Sequence, residues 1–79
     1  MTLGVERNLG PQPLAALMAE HALKPHDLVV ASGEQLTHKT VTRACRGRRL
    51  TPNSQAKVLR ALNQATGQTF TLKALFSYA

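Results

Sequence analysis

The sequence contains no tryptophan and one cysteine, and no acidic residue lies between positions 35 and 79. With Cys45 alone, one chain can form neither an internal disulfide nor a zinc cluster built on paired thiolates, a usage that fits a reducing compartment. The aromatics are Phe70, Phe76 and Tyr78, too few for the stacking platforms on which single-stranded nucleic acid binding rests. No apolar run approaches the roughly 20 residues needed to cross a bilayer. The opening segment Met1–Arg7 has neither the basic nor the apolar stretch of a secretory leader. At 79 residues there is room for one core and not for two, so a deep multi-step catalytic cleft is not expected. No enzymatic activity, cofactor or small-molecule ligand is expected.

What the sequence does have is positive charge, unevenly placed. The net charge is +6. Residues 1–34 hold all four acids (Glu6, Glu20, Asp27, Glu34) and two bases (Arg7, Lys24). Residues 35–79 hold eight bases and no acid: Lys39, Arg43, Arg46, Arg48, Arg49, Lys57, Arg60 and Lys73. Five of the eight fall between 39 and 49. A solubilising surface mixes both signs, whereas a one-sided cluster is the electrostatic footprint of a polyanionic partner. A membrane surface is also a polyanion, but a helix lying on one wants Trp, Phe or Leu opposite its basic side, so no membrane partner is expected.

The apolar spacing is helical throughout, which predicts an all-α fold of five short helices. Residues 1–10, with Gly4, Asn8 and Gly10, read as a flexible arm, and 11–79 as a single domain. Pro13 opens a first helix to about residue 23 with a stripe of Leu14, Leu17, Met18 and His21 or Ala22. Pro25 starts a second to about Ser32, with Leu28, Val29 and Ala31 inward and Asp27 in the dipole-favoured first turn. Gly33 is a stop that can take the left-handed cap conformation. Thr37 caps a third helix to Arg46, with Leu36 as staple residue, Val41 and Ala44 inward and Gly47 at its end. Thr51-Pro52 opens a fourth to about Ala65 with Val58, Leu59, Leu62 and Ala65 at core spacing, stopped by Gly67. Thr71 is the cap expected for a fifth, Leu72 to Tyr78, packing Leu72, Leu75 and Phe76.

Two short helices joined by a tight connection, the second capped by Thr and ended by Gly, follow helix-turn-helix logic. The segment Leu36-Thr37-His38-Lys39-Thr40-Val41-Thr42-Arg43-Ala44-Cys45-Arg46-Gly47 resembles the second half of the lambda-repressor/Cro-like (XRE-type) helix-turn-helix. The basic turn Arg48-Arg49-Leu50-Thr51-Pro52 and the helix Lys57-Val58-Leu59-Arg60-Ala61-Leu62 are similar to the turn and helix that come after the motif in that family, so the resemblance spans roughly residues 14–66. From Leu28-Val29 to Leu36 the spacing is two residues longer than the family's pattern. Either the turn is longer here, with Gly33 ending the second helix, or Val30-Ala31 is the inward pair and Glu34 breaks the pattern; the longer turn is the preferred reading. The resemblance implies a lambda-repressor-like DNA-binding domain and a small transcriptional regulator.

With Val41 and Ala44 inward, His38, Lys39, Thr42, Arg43 and Arg46 point outward. The B-DNA major groove admits one helix, whose N-terminal residues meet base edges. His38, Lys39 and Thr42 are therefore the base-contacting candidates, with Lys39 suited to guanine O6/N7, Thr42 to a base edge or thymine methyl, and His38 to either a base or a phosphate. Arg43, Arg46, Arg48 and Arg49 are phosphate-contacting candidates, with Thr37 adding a phosphate contact to its capping role. His21, His26 and His38 sit on three different elements without carboxylate or thiolate at ligand spacing, so no metal site is expected. Cys45 lies among arginines, which would lower its thiol pKa, although packing is its expected role. Double-stranded DNA is the expected partner and the cytoplasm, on the nucleoid, the expected location. A homodimer through the C-terminal helix is a further expectation. The same charge also suits an RNA-binding accessory protein, or an adaptor or antitoxin that docks an acidic partner on the 39–60 face.

Overall fold

Each helix begins where the sequence supplies a start signal, and three prolines set three of the starts. The computed structural model describes residues 10–78, so the expected arm lies, except for Gly10, outside the described residues. The order is α1 (Pro13–Glu20), α2 (Pro25–Ala31), α3 (His38–Arg46), α4 (Pro52–Thr66) and α5 (Leu72–Leu75), with no strand among the described residues. Pro occupies the first turn of α1, α2 and α4, where its missing N–H has no helical partner to lose. The Thr37 hydroxyl accepts from the Thr40 N–H at 3.1 Å, and the Thr51 hydroxyl from the Ser54 N–H at 3.2 Å. Before α2 the device is reversed: the Asp27 carboxylate reaches back to the Lys24 N–H at 2.7 Å.

The helix ends depart from expectation in three places. α1 stops at Glu20, three residues early, and His21 and Ala22 are exposed rather than part of the apolar stripe. Pro25 disfavours helical backbone at Lys24, so the chain must reverse before it. It does so through Ala22 at φ 55, with the Leu23 N–H bonded to the Met18 carbonyl at 2.7 Å and the Ala22 N–H to that of Ala19 at 3.1 Å. This is the glycine-type helix terminus with alanine in the left-handed position, at a cost of about 1 kcal/mol. α2 ends without a left-handed residue. Gly33 does not have a positive φ; Ser32 is extended and its hydroxyl accepts from the Glu34 N–H at 3.1 Å. α5 ends at Leu75, and Phe76 turns extended, so the chain beyond is free to reach back across the domain. Thr71 precedes α5 but its hydroxyl makes no capping bond.

The core draws on every helix: Leu14 and Met18 from α1, Leu28 from α2, Val41 and Ala44 from α3, Val58, Ala61 and Leu62 from α4, and Leu75 with Phe76 from the C-terminal segment. On α4 the buried face is Gln55-Val58-Ala61-Leu62, whereas Leu59 and Ala65, expected inside, are half-buried. α3 packs on α1 and α2, α2 also packs on α4, and α5 bridges α1 and α4. No described helix is long and apolar enough to cross a membrane.

Candidate nucleic-acid interface

α3 has one face committed to the core and the other to solvent. Val41 and Ala44 are fully buried, and Leu36, just before the cap, is buried with them. His38, Lys39, Arg43 and Arg46 are exposed, as the outward arc requires. Thr42 is not fully outward. It is half-buried on the flank of α3 and lines a shallow, mostly apolar groove with Met18, Leu23, Pro25 and Cys45. Thr37 is exposed and occupied as the cap. Leu28 is buried and Val30 is 68% exposed, so the inward residue of α2 is that of the longer-turn reading. The long turn is made by Ser32 and not by a left-handed Gly33.

His26 and His38, from two elements, meet with Nδ1 and Nε2 3.1 Å apart and rings inclined by 14°. The His38 Nε2 is thus engaged within the protein, tying the first turn of α3 to that of α2. His21 lies instead edge-on to Phe70 at 6.2 Å. Among the described residues no three of His, Cys, Asp and Glu gather as a metal would require.

The charge asymmetry is partly cancelled across its own boundary. Glu34, the last acid, receives both the Nε and the Nη2 of Arg60 at 2.6 Å. The Arg60 hydrogen bonds hold the Glu34 carboxyl below its usual range, and the same pairing raises the Arg60 guanidinium. The cationic face expected over 39–60 therefore loses Arg60. Lys39, Arg43, Arg46, Arg48 and Arg49 have no acidic partner among the described residues.

Beyond α3 the chain turns sharply at Gly47, which has φ 93 and is buried. A Cβ there would overlap the Gly10 backbone. The segment carrying Arg48 and Arg49 is then fastened by two side chains that sequence reasoning did not find. The Gln55 Nε2 donates to the Leu50 carbonyl at 2.8 Å, and the Leu50 N–H donates to the Tyr78 hydroxyl at 3.1 Å. That hydroxyl in turn donates to the Arg48 carbonyl at 3.4 Å, while the Arg49 guanidinium sits 5.4 Å from the Tyr78 ring centre. Burial pushes the Tyr78 phenol up, against the smaller opposing pulls of the Leu50 hydrogen bond and Arg49, so it remains a donor at neutral pH. Gln12, also unanticipated, is buried and joins three places. Its Oε1 accepts from the Ser77 N–H at 2.7 Å, its Nε2 donates to the Gly10 carbonyl at 3.1 Å, and its N–H donates to the Cys45 carbonyl at 3.1 Å.

Cys45 behaves opposite to the expectation set by its arginine neighbours. Burial raises its thiol pKa, and its Sγ rests 3.5 Å from the Met18 Sδ. The C-terminal apolar residues considered for self-association are mostly spent inside the chain, since Leu75 and Phe76 are buried in its own core.

No family model, no curated protein and no solved structure matches the chain.

Proposed function

We propose that this chain binds double-stranded DNA with sequence preference as a small transcriptional regulator, with α2 and α3 serving as a lambda-repressor-like helix-turn-helix and α3 as its recognition helix. One observation carries this reading. Five cationic side chains, Lys39, Arg43, Arg46, Arg48 and Arg49, are exposed without an acidic partner among the described residues, on a helix and following turn whose opposite side is anchored in the core. A helix so anchored presents one rigid face, which is what insertion into a major groove demands. Lys39, exposed in the first turn, meets a base edge in this reading. Thr42 reads from the flank, and His38 does so only through the ring nitrogen that His26 does not hold. Arg43, Arg46, Arg48 and Arg49 grip phosphates, which sets affinity and register rather than sequence.

Selection from random duplexes, followed by titration of the recovered site at several salt concentrations, tests the proposal. Neutralising four to five phosphates gives a slope of log K against log salt of about −4. Lys39→Ala costs about 1–3 kcal/mol on the selected site and much less on random duplex, whereas Arg48→Ala weakens both alike and lowers the slope by about one unit. Thr42→Ala follows Lys39→Ala in kind. A slope near zero ends the nucleic-acid reading. Recovery of no motif, with RNA competing equally, leaves a general polyanion binder in place of a regulator.

A further inference from the structure

We infer that Tyr78 is a positioning residue for the proposed DNA contact, fixing the course of the Arg48–Leu50 segment and so aiming its two arginines. The inference rests on the DNA-binding reading and adds to it a residue at the far end of the chain.

Three contacts converge on this side chain. Its hydroxyl accepts from the Leu50 N–H at 3.1 Å and donates to the Arg48 carbonyl at 3.4 Å, and its ring faces the Arg49 guanidinium at 5.4 Å. The hydroxyl thereby satisfies backbone groups on both sides of Arg49. Leu50 is held from its other side by Gln55, whose amide donates to the Leu50 carbonyl. The segment lies between Gly47 and the Thr51 cap and belongs to neither helix; α3 holds its first residue, through the Arg48 N–H that donates to the Arg43 carbonyl at 2.9 Å, and Arg49 and Leu50 lie beyond that bond. Without the ties from Tyr78 and Gln55 the backbone from the Arg48 carbonyl to Leu50 would sample many orientations, and binding would have to restrict it at an entropic cost. Tyr78 is itself held. Its ring stacks on the buried Phe76 at 5.3 Å, and the adjacent Ser77 is bonded to the buried Gln12. The anchor of the C-terminal segment is thus in the core and its tip is at the basic turn.

The distinguishing variant is Tyr78→Phe, which keeps the ring, the Phe76 stacking and the Arg49 contact and removes only the hydroxyl. On the selected duplex the expected result is roughly a five- to tenfold loss of affinity and a salt slope shallower by up to about one unit. The melting temperature should fall by no more than about 16 °C, the scale of two net hydrogen bonds in a domain of this size. Two further readouts separate positioning from a general loss of stability. Amide exchange at Leu50 should accelerate at least about tenfold while that at Val58, inside α4, changes only in line with the melting temperature. In a double-mutant cycle, Tyr78→Phe should cost little once Arg48→Ala and Arg49→Ala are both present, because its effect passes through those arginines.

If the native chain binds duplex and Tyr78→Phe binds it with the same affinity and slope, the positioning inference is overturned and the DNA reading stands. If the two losses add in full, Tyr78 acts by another route and the inference is likewise overturned. If the native chain binds no duplex while Leu50 exchange still accelerates in the variant, the DNA reading falls and the fastening of the basic turn by Tyr78 remains.

Discussion

The long-range side-chain tie of the connection that enters α3, residues 32–37, is an exposed ion pair, whereas those of the one that leaves it, residues 47–51, are chiefly hydrogen bonds between neutral groups made from the protein side. In the first, Glu34 grips Arg60 across exposed surface, and Ser32 closes a local turn. In the second, buried Gly47 abuts Gly10, and Gln55 and Tyr78 bond to the backbone of Leu50. An exposed ion pair is screened by salt and weak for its length. A hydrogen bond to a part-buried backbone group is not screened, and its loss leaves a polar atom unsatisfied. The two flanks of the proposed recognition helix should therefore respond differently to sequence change, salt and acid. The flank that carries Arg48 and Arg49 is the one built to keep its shape.

The largest expected break is Gly47→Ala. Alanine at φ 93 is strained by about 1–2 kcal/mol, and its Cβ meets the Gly10 backbone, which is not a flexible side-chain tip that can swing aside. The total loss is then about 2–4 kcal/mol, out of roughly 4–12 kcal/mol for a domain of this length. The matched control is Gly33→Ala in the entering connection. Gly33 has no positive φ, and a Cβ there meets nothing within 4 Å, so that change is neutral or slightly stabilising. Urea unfolding of the pair checks the contrast. Equal midpoints would mean that the two connections are equally permissive and the comparison is false.

Gln55 comes next. Gln55→Ala removes the donor to the Leu50 carbonyl and leaves it unsatisfied in a part-buried place, for a loss of about 1–3 kcal/mol. Because no charge is involved, the loss should be the same in low and high salt. A loss that shrinks as salt rises would show that charge, and not the amide, holds this turn.

Those two positions also show how far the sequence could be read. α3 was legible at both ends because its signals are local. Thr37 caps it, and Gly47 ends it in the left-handed conformation that glycine adopts at low cost. Gly33 gave the same signal and did not act on it, because the Ser32 hydroxyl completed the turn first. The end of α1 is hidden in the sequence for the converse reason: Ala22 does a glycine's work and carries no signature of it. Gln55 was readable in principle. It falls on the same stripe as Val58 and Leu62, and a polar residue on an apolar stripe needs a partner when buried. Tyr78 was not readable, since its partners lie 28 and 30 residues away along the chain and no periodicity links them. The same is true of the Glu34–Arg60 and His26–His38 meetings, which tertiary packing alone brings about. The outward arc of α3 came from one helical wheel, but the wheel could not say that α1 and Pro25 would half-cover Thr42.

The smallest effect belongs to the ion pair, and its sign is what tests the comparison. Arg60 holds the Glu34 carboxyl below its usual range in the native chain. Between that lowered value and the ordinary glutamate range the unfolded chain binds a proton that the native chain does not, so stability there rises with pH. The contribution is present above the ordinary glutamate range and is lost as the pH falls through the lowered native value. Glu34→Gln has no such proton to bind. The expected result is a modestly lower unfolding midpoint than the native chain at neutral pH and low salt, with a difference that narrows on acidification and also on addition of salt. The other acids titrate in both proteins and cancel in the comparison. The substitution also releases Arg60 from its partner and raises the net charge by one unit, so duplex binding should tighten slightly even as the fold weakens. A Glu34→Gln deficit that stayed constant across pH and salt would place the two connections under the same kind of restraint, and the distinction between a charged entry and a neutral exit would have to be abandoned.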